Sequence, residues 1–381
     1  MLTINRAAKC RAYPNKTQSA QIMQTLDNCR FIYNHMLDRN NKIYKRRKEH
    51  MSYVVMQNLL PGMKKYLPWL KDADSKALQY ACRQIDTAFQ KFFTGKARYP
   101  VFHSKKGRQA YTTTNKTAIH ISRDCKKIKL PIVGWVKVRG LHLPDEAEIN
   151  NAAVSLEPNG SFYISVNYKY IVEEPSTESK SSTVLGLDYK SNGLYVDSNG
   201  NCAEMPHWFY ESQVKLARQQ RILSRKIGSR KGEHRSYGWH KQHHKVARIQ
   251  AIIANQRNDF LHKLSRKLAD TYNIVGIEDL NMKVLSNKEF GNGKAVMDNA
   301  YGKFTTMLDY KLAWNGGRLV KVDRWFPSSQ ICSCCGKQDK SIKDLHIRKW
   351  QCKQCGTKHD RDVNAAINIK NEAIRLIETV A

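Results

Sequence analysis

Apolar positions at the start of the chain recur first at a period near two and then at a period near 3.6. Residues 1–13 alternate as a strand does, and Tyr13-Pro14-Asn15-Lys16-Thr17 ends it. Thr17 then reads as a helix N-cap, and Ile22, Leu26, Cys29, Ile32, Tyr33 and Met36 follow on one helical face. Basic residues crowd 42–48. A second helix is predicted over Ser75–Phe93, with Leu78, Cys82, Ile85, Phe89 and Phe92 along one side. From Lys105 the pattern shortens. Thr112-Thr113-Thr114, Ile119-His120-Ile121, Lys127-Ile128-Lys129-Leu130, Val136-Lys137-Val138 and Phe162-Tyr163-Ile164-Ser165-Val166 are β-branched and turn-bounded, and Asn159-Gly160 is a hairpin signal. These runs predict a β-barrel-like domain over 1–14 and 105–175, with a helical domain inserted at 15–104. The polar stretch 173–182, with Pro175 and a serine cluster, reads as a linker.

The second half alternates strands with helices. Thr183-Val184-Leu185-Gly186-Leu187-Asp188 is an apolar strand ending in a carboxylate, and Leu194-Tyr195-Val196 with Asn199-Gly200 continues it as a hairpin. A long helical stretch follows, whose second half carries Val246, Ile249, Ile253, Phe260, Leu264 and Leu268 as an apolar stripe. Ile274-Val275-Gly276-Ile277-Glu278-Asp279-Leu280 is a second buried strand ending in acid. Asn292-Gly293 marks a loop, 304–314 reads as helix, Leu319-Val320-Lys321-Val322 as strand, and 362–379 as a last helix.

Charge adds a partner to this outline. Lys and Arg number 65 against 33 Asp and Glu, a formal charge of +32. Such a charge repels itself unless a polyanion neutralises it, which points to nucleic acid. Between 215 and 267 there are 15 Lys or Arg against Glu233 and Asp259, an imbalance that favours a phosphate-facing surface over a merely solvated hairpin. A membrane surface fits poorly, because no apolar run of about 18 residues occurs. Met1-Leu2-Thr3-Ile4-Asn5-Arg6 does not open a signal peptide.

Ten cysteines without an export signal argue for thiols and metal rather than disulfides. Cys10, Cys29, Cys82, Cys125 and Cys202 stand alone and read as small hydrophobes. Cys332, Cys335, Cys352 and Cys355 form two Cys-x-x-Cys-Gly turns, the spacing of a four-thiolate Zn²⁺ site. Cys334 breaks the match between the turns and reads as free. Lys337, Lys340, Lys343, Arg348, Lys349 and Trp350 between the pairs suit a nucleic acid backbone.

Asp188, Glu278 and Asp362 end two apolar strands and open the last helix. In an RNase H-like fold such positions converge at one sheet edge, where clustered carboxylates need a counter-charge that two Mg²⁺ ions can supply. Singly each has a plainer reading: a turn former, or, for Asp362, a helix N-cap. Together, on a basic chain, they favour catalysis.

The motifs that close the chain carry a resemblance. Val184-Leu185-Gly186-Leu187-Asp188, Gly276-Ile277-Glu278-Asp279-Leu280-Asn281, Arg324-Trp325-Phe326-Pro327-Ser328-Ser329-Gln330 before the first cysteine turn, and Asp360-Arg361-Asp362-Val363-Asn364-Ala365-Ala366-Ile367-Asn368-Ile369 resemble TnpB, the RNA-guided nucleases encoded by bacterial insertion sequences and related to type V CRISPR effectors. The resemblance implies a multidomain α/β protein. A RuvC-type, RNase H-like nuclease domain would span 183–324 and 358–381, with Asp188, Glu278 and Asp362 as catalytic Mg²⁺ ligands and Mn²⁺ able to substitute. A zinc-bearing target-nucleic-acid-binding insert would occupy 325–357. The β-domain would be the wedge and the helical insertion the recognition domain. These would hold a noncoding guide RNA and read a short motif in double-stranded target DNA, with Tyr13, Lys76, Gln79 and Thr113 as candidate readers. The expected setting is the bacterial cytoplasm or nucleoid, with one protein per guide RNA. A guided repressor that does not cut, a transposase, and a plain zinc-ribbon binding protein are the rival readings.

Overall fold

The computed structural model describes residues 2–172, 183–191, 193–230, 232–287, 300–344 and 346–379. Backbone contacts divide the chain into two units, 1–173 and 174–381. The expected linker at 173–182 and the Asn292-Gly293 loop lie outside the described residues.

In the first unit β1 (Leu2–Tyr13) is followed by α1 (Lys16–Arg47), α2 (Tyr53–Tyr66) and α3 (Ser75–Phe93), and then by β2 (Gln109–Thr113), β3 (His120–Ile121), β4 (Lys127–Leu130), β5 (Gly134–Arg139), β6 (Glu148–Leu156) and β7 (Phe162–Val172). β1 pairs with both β7 and β5, so the strand that precedes the helices belongs to the sheet that follows them. The cap of α1 is Asn15 rather than Thr17. Its side chain accepts from the Gln18 N–H while Gln18 Oε1 accepts from the Asn15 N–H, a closed capping box. Pro61-Gly62 lies inside α2 and hides that helix from a reading of sequence pattern.

The expected barrel is an open sheet of order β2-β6-β7-β1-β5-β4-β3. β2 is one edge, and α1 and α3 pack against it. Tyr111 of β2 joins the core that those helices build with Ile32, Met36, Leu78 and Ile85. The helical insertion thus protects an edge that barrel closure would otherwise have to hide. The other edge strand, β3, is only two residues long.

The second unit contains β8 (Val184–Tyr189), β9 (Tyr195–Asp197), β10 (Cys202–Ala203), α4 (His207–Ser224), α5 (Tyr237–Thr271), β11 (Ile274–Glu278), α6 (Met282–Leu285), α7 (Tyr301–Trp314), β12 (Arg318–Val322), β13 (Lys349–Gln351), β14 (Lys358–Asp360) and α8 (Arg361–Glu378). Its main sheet has the order β10-β9-β8-β11-β12, with β8, β11 and β12 parallel and the β8–β9–β10 pairs antiparallel. Leu185, Leu187, Val275 and Ile277 face a core shared with Leu261 of α5 and Phe304 and Leu308 of α7. The opposite face takes α8. Gly186 and Gly276 are register partners on β8 and β11. A Cβ on Gly186 would lie 2.0 Å from the Ala366 carbonyl oxygen, and one on Gly276 would lie 2.8 Å from Ala373 Cβ. Glycine at these two positions lets α8 lie directly on the sheet, which sets where its first turn ends up. Among the described residues no helix is long and apolar enough to cross a membrane.

Candidate metal centres

Each of the two glycines stands two residues before an acid, Asp188 on β8 and Glu278 at the end of β11. Residues i and i+2 of a strand share a face, so both acids lie on the side that carries α8. Asp362 is the second residue of that helix. Burial, then the neighbouring carboxylates of Glu278 and Asp362, push Asp188 well above the ordinary aspartate range, and the Arg361 guanidinium offsets part of this. Burial also raises Glu278, against a hydrogen bond that Ser328 Oγ donates to Glu278 Oε1 at 2.7 Å. Asp362 has a 3.4 Å ion pair with the exposed Arg348. The Tyr301 hydroxyl is buried with no hydrogen-bond partner among the described residues, and burial followed by Asp188 and Glu278 raises its pKa. Half-buried, mutually repelling carboxylates with a buried tyrosine hydroxyl in their field fit a site that divalent cations complete. Among the described residues, the group of three or more candidate ligand atoms that lies within 4.8 Å is the cysteine set.

The four sulfurs of Cys332, Cys335, Cys352 and Cys355 all lie within 4.8 Å of one another. Cys332 is 3.6 Å from Cys355 and Cys335 is 3.6 Å from Cys352. A tetrahedral ion with metal–sulfur bonds of about 2.3 Å separates its sulfurs by about 3.8 Å, so the set fits a structural metal. The two turns match: Gly336 and Gly356 have φ of +75° and +73°, and each donates its N–H to the carbonyl of the turn's first cysteine at 2.9 Å. The Lys337 N–H pulls the Cys335 thiol down, but burial and the other three sulfurs prevail and push it up to about 12. Cys355, beside the Thr357 hydroxyl and N–H, is held down at about 6. Four thiolates cannot coexist here without a cation. His359 Nε2 lies 3.0 Å from Cys332 Sγ. Cys334 is exposed and outside the cluster.

The motif-reading candidates belong to the first unit. Tyr13 is 43 % exposed, with the Arg11 guanidinium over its ring. On α3 Lys76 is exposed and Gln79 half-buried. Thr113 does not suit the role: it is fully buried, and its hydroxyl accepts from the Asn115 N–H at 3.3 Å. Strand alternation turns Thr112 the other way, into a cavity of about 560 Å³ that Arg30, Tyr80, Gln84 and Arg108 also line.

Sequence pattern passed over Gly186, Gly276, Ser328, Arg361 and Tyr301. The shared Gly-x-acid spacing of β8 and β11 is the one signal that could have found the glycines.

Over 379 residues the chain is 35 % identical to a Streptomyces pristinaespiralis protein named for RNA-guided DNA endonuclease activity, covering 97 % of this chain and 89 % of that one. The chain belongs to the TnpB family of RNA-guided nucleases. InsQ of Escherichia coli K12, named for the same activity, is 29 % identical over 380 residues, covering 96 % of this chain and 91 % of InsQ. Three family models match: "Cas12f1-like, TNB domain" over 301–369, "Probable transposase" over 167–289, and "Helix-turn-helix domain" over 1–49. In this TnpB-family chain the last of these spans holds β1 and the single helix α1. A solved Cas12f1–sgRNA–target DNA complex shares the fold at a TM-score of 0.59 and 13 % identity, covering 97 % of this chain and 99 % of that one.

Proposed function

We propose that this chain is an RNA-guided DNA endonuclease. It holds a noncoding guide RNA, reads a short motif in duplex DNA, lets the guide pair with one strand, and hydrolyses phosphodiester bonds at one site formed by Asp188, Glu278 and Asp362. The observation that supports the reading is that Asp188 and Glu278 each stand two residues after a glycine on which α8 rests, while Asp362 lies in the first turn of that helix. Two Mg²⁺ ions bound there would activate water and stabilise the leaving 3′-oxygen, and Mn²⁺ would substitute. The chain's own part is to present hard carboxylate oxygens from rigid strand and helix ends, while the soft thiolates of Cys332, Cys335, Cys352 and Cys355 take one structural Zn²⁺.

The other surfaces suit the same work. On α4 Lys215, Arg218 and Arg221 are exposed at three-residue spacing, a cationic row for an RNA backbone. Tyr13, Lys76 and Gln79 remain the motif readers, with Thr112 in place of Thr113. The spans 1–14 with 105–175, 15–104, 183–324 with 358–381, and 325–357 serve as wedge, recognition, nuclease and target-binding domains. One protein acts with one guide RNA in the bacterial cytoplasm. Base pairing reads most of the target, and protein contacts read the flanking motif.

The test is cleavage by the protein purified with its RNA. A plasmid carrying a guide-matched target beside a library of flanking sequences should be cut with Mg²⁺ and left intact with a chelator. Binding without cutting would favour a guided repressor, and joined ends a transposase.

A further inference from the structure

A run of side-chain hydrogen bonds links the first cysteine turn to the carboxylates. Asn364 and Asn368 lie one turn apart on α8 and are 1 % and 5 % exposed. Asn364 Oδ1 accepts from the Ser333 N–H, inside the first cysteine turn, at 2.9 Å, and its Nδ2 donates to the Ile331 carbonyl at 2.7 Å. Asn368 Nδ2 donates to the Ile331 and Ser328 carbonyls at 2.6 and 2.7 Å. Ser328, itself 5 % exposed, donates its hydroxyl to Glu278. Arg361 adds a second tie, from its guanidinium to the Ser329 hydroxyl at 3.4 Å and the Asp344 carbonyl at 2.6 Å.

Buried asparagine is a poor choice in a helix interior unless its amide is satisfied. Here two of them, on one face, are devoted to the backbone of a single six-residue segment. That segment begins at a residue bonded to Glu278 and ends in the cysteine turn. Asp362 and Asn364 share the first turns of α8, so movement of the cysteine turn bears on two of the three acids. A hydrogen bond from an outer residue to a ligating carboxylate fixes its orientation, and its loss typically weakens metal binding 10–100-fold.

We propose that Ser328 is a positioning residue for Glu278, and that Asn364 and Asn368 clamp it to the first cysteine turn, so that the state of the structural metal site is felt at the carboxylates. The proposal rests on the reading of Asp188, Glu278 and Asp362 as the divalent-metal site. Loss of the structural metal frees the cysteine turn, loosens the Ser333–Asn364 bond and lets Ser328 drift from Glu278.

The experiment titrates Mn²⁺ by electron paramagnetic resonance into the full chain with its RNA and no DNA. Mn²⁺ prefers oxygen and leaves the thiolates alone, and the Asp188→Ala complex supplies the RNA background. Ser328→Ala should weaken the Asp188-dependent binding about tenfold or more, while its melting temperature and its KM for target DNA stay near wild type. Ser328→Thr, which keeps the hydroxyl, should restore binding. Cys352→Ser, which touches neither Ser328 nor Glu278, should weaken Mn²⁺ binding similarly. Wild-type affinity in Ser328→Ala, with binding lost in Asp188→Ala, overturns this proposal and leaves the site assignment standing. Equal binding by wild type and Asp188→Ala overturns the site assignment instead. If Ser328→Ala does not fold, the Cys352→Ser arm decides, and unchanged affinity there removes the coupling.

Discussion

The carboxylate of Asp360 accepts hydrogen bonds from the backbone N–H groups of Asp362 and Val363, at 3.1 and 3.2 Å. Asp360 is therefore the N-cap of α8, and Asp362, two residues on, is released from that duty. The two acids are close in sequence and do different work. One satisfies orphan donors at the helix end. The other stands beside Asp188 and raises its pKa.

The two should separate by substitution. Asp360→Ala should lower stability by about 1 kcal/mol, the usual cost of a lost cap, and keep cutting. Asp362→Ala should melt near wild type and lose roughly a thousandfold or more in single-turnover cleavage, since each 1.36 kcal/mol is about tenfold and one metal ligand is worth several. Asn at 188 or 362, or Gln at 278, should fail almost as badly, because the role needs charge. Guided binding of target DNA should survive. Asp279, half-buried and paired with Arg324 at 3.1 Å and Lys321 at 3.7 Å, is a control whose Ala variant stays active. Cleavage by Asp362→Ala with none by Asp360→Ala would reverse the assignment.

The same Gly→Ala change should have opposite effects at two sites. At Gly186 a Cβ meets Ala366 O at 2.0 Å and Lys370 N at 2.6 Å, both backbone atoms of α8. The helix must lift from the sheet, at about 1–3 kcal/mol or more, carrying Asp362 away from Asp188. At Gly62, inside α2, a Cβ meets nothing within 4 Å. Ala there should add about 0.5–1 kcal/mol by reducing unfolded-chain entropy and favouring helix. Thermal melts with cleavage assays check both, and a Gly186→Ala protein with normal activity would show that close helix–sheet contact is not what brings the acids together.

Much of this was legible where one periodicity or one spacing decides. The strands that carry Asp188 and Glu278, the helix Ser75–Phe93, the cysteine turns and the last helix follow from local pattern. What failed locally was tertiary. α2 contains Pro61, which argues for a break that burial of Met56 and Leu60 overrides. The barrel expectation failed because closure depends on what covers β2, and the cover is supplied by residues some 20 to 80 positions upstream. Thr112 and Thr113 cannot be told apart without knowing which face of β2 is inward. Ser328 and Asn368 look like ordinary polar residues until the fold brings their partners.

Metal uptake by the cysteines should release protons. At neutral pH Cys355, held at about 6, is a thiolate, while Cys335, pushed up to about 12, carries its proton. Ligation requires both deprotonated, so Zn²⁺ binding should expel at least about one proton per ion near pH 7, and affinity should climb with pH. Calorimetry in buffers of different ionisation enthalpy measures this directly. One Zn²⁺ per chain is expected by elemental analysis, lost in Cys352→Ser and kept in Cys334→Ser. Uptake without proton release would show that the thiols are not the ligands.

The carboxylate site predicts a pH dependence whose sign is fixed. Asp188 has a raised pKa in the metal-free folded state, and Glu278 moves the same way. The folded protein therefore holds these protons more tightly than the unfolded chain. The stability they contribute is fully present below the ordinary carboxylate range near about 4 and is lost as pH climbs through the raised folded values. Metal-free protein should thus be progressively less stable as pH rises across that interval. Divalent ions need the ionised carboxylates and compete with the same protons, so binding tightens as pH rises. A ligand that binds only the folded state stabilises it in proportion to the logarithm of its concentration over Kd. At one fixed Mg²⁺ concentration the rise in melting temperature should be small at about pH 5 and grow toward about pH 8. Because bound RNA also takes Mg²⁺, the comparison is with the Asp188→Asn complex, which lacks one ligand and one titrating group. That variant should show a flatter pH profile without metal and a smaller increment with it that depends less on pH. A wild-type increment that does not change with pH, or that survives in Asp188→Asn, would mean the stabilising Mg²⁺ sits on the RNA and not among these acids.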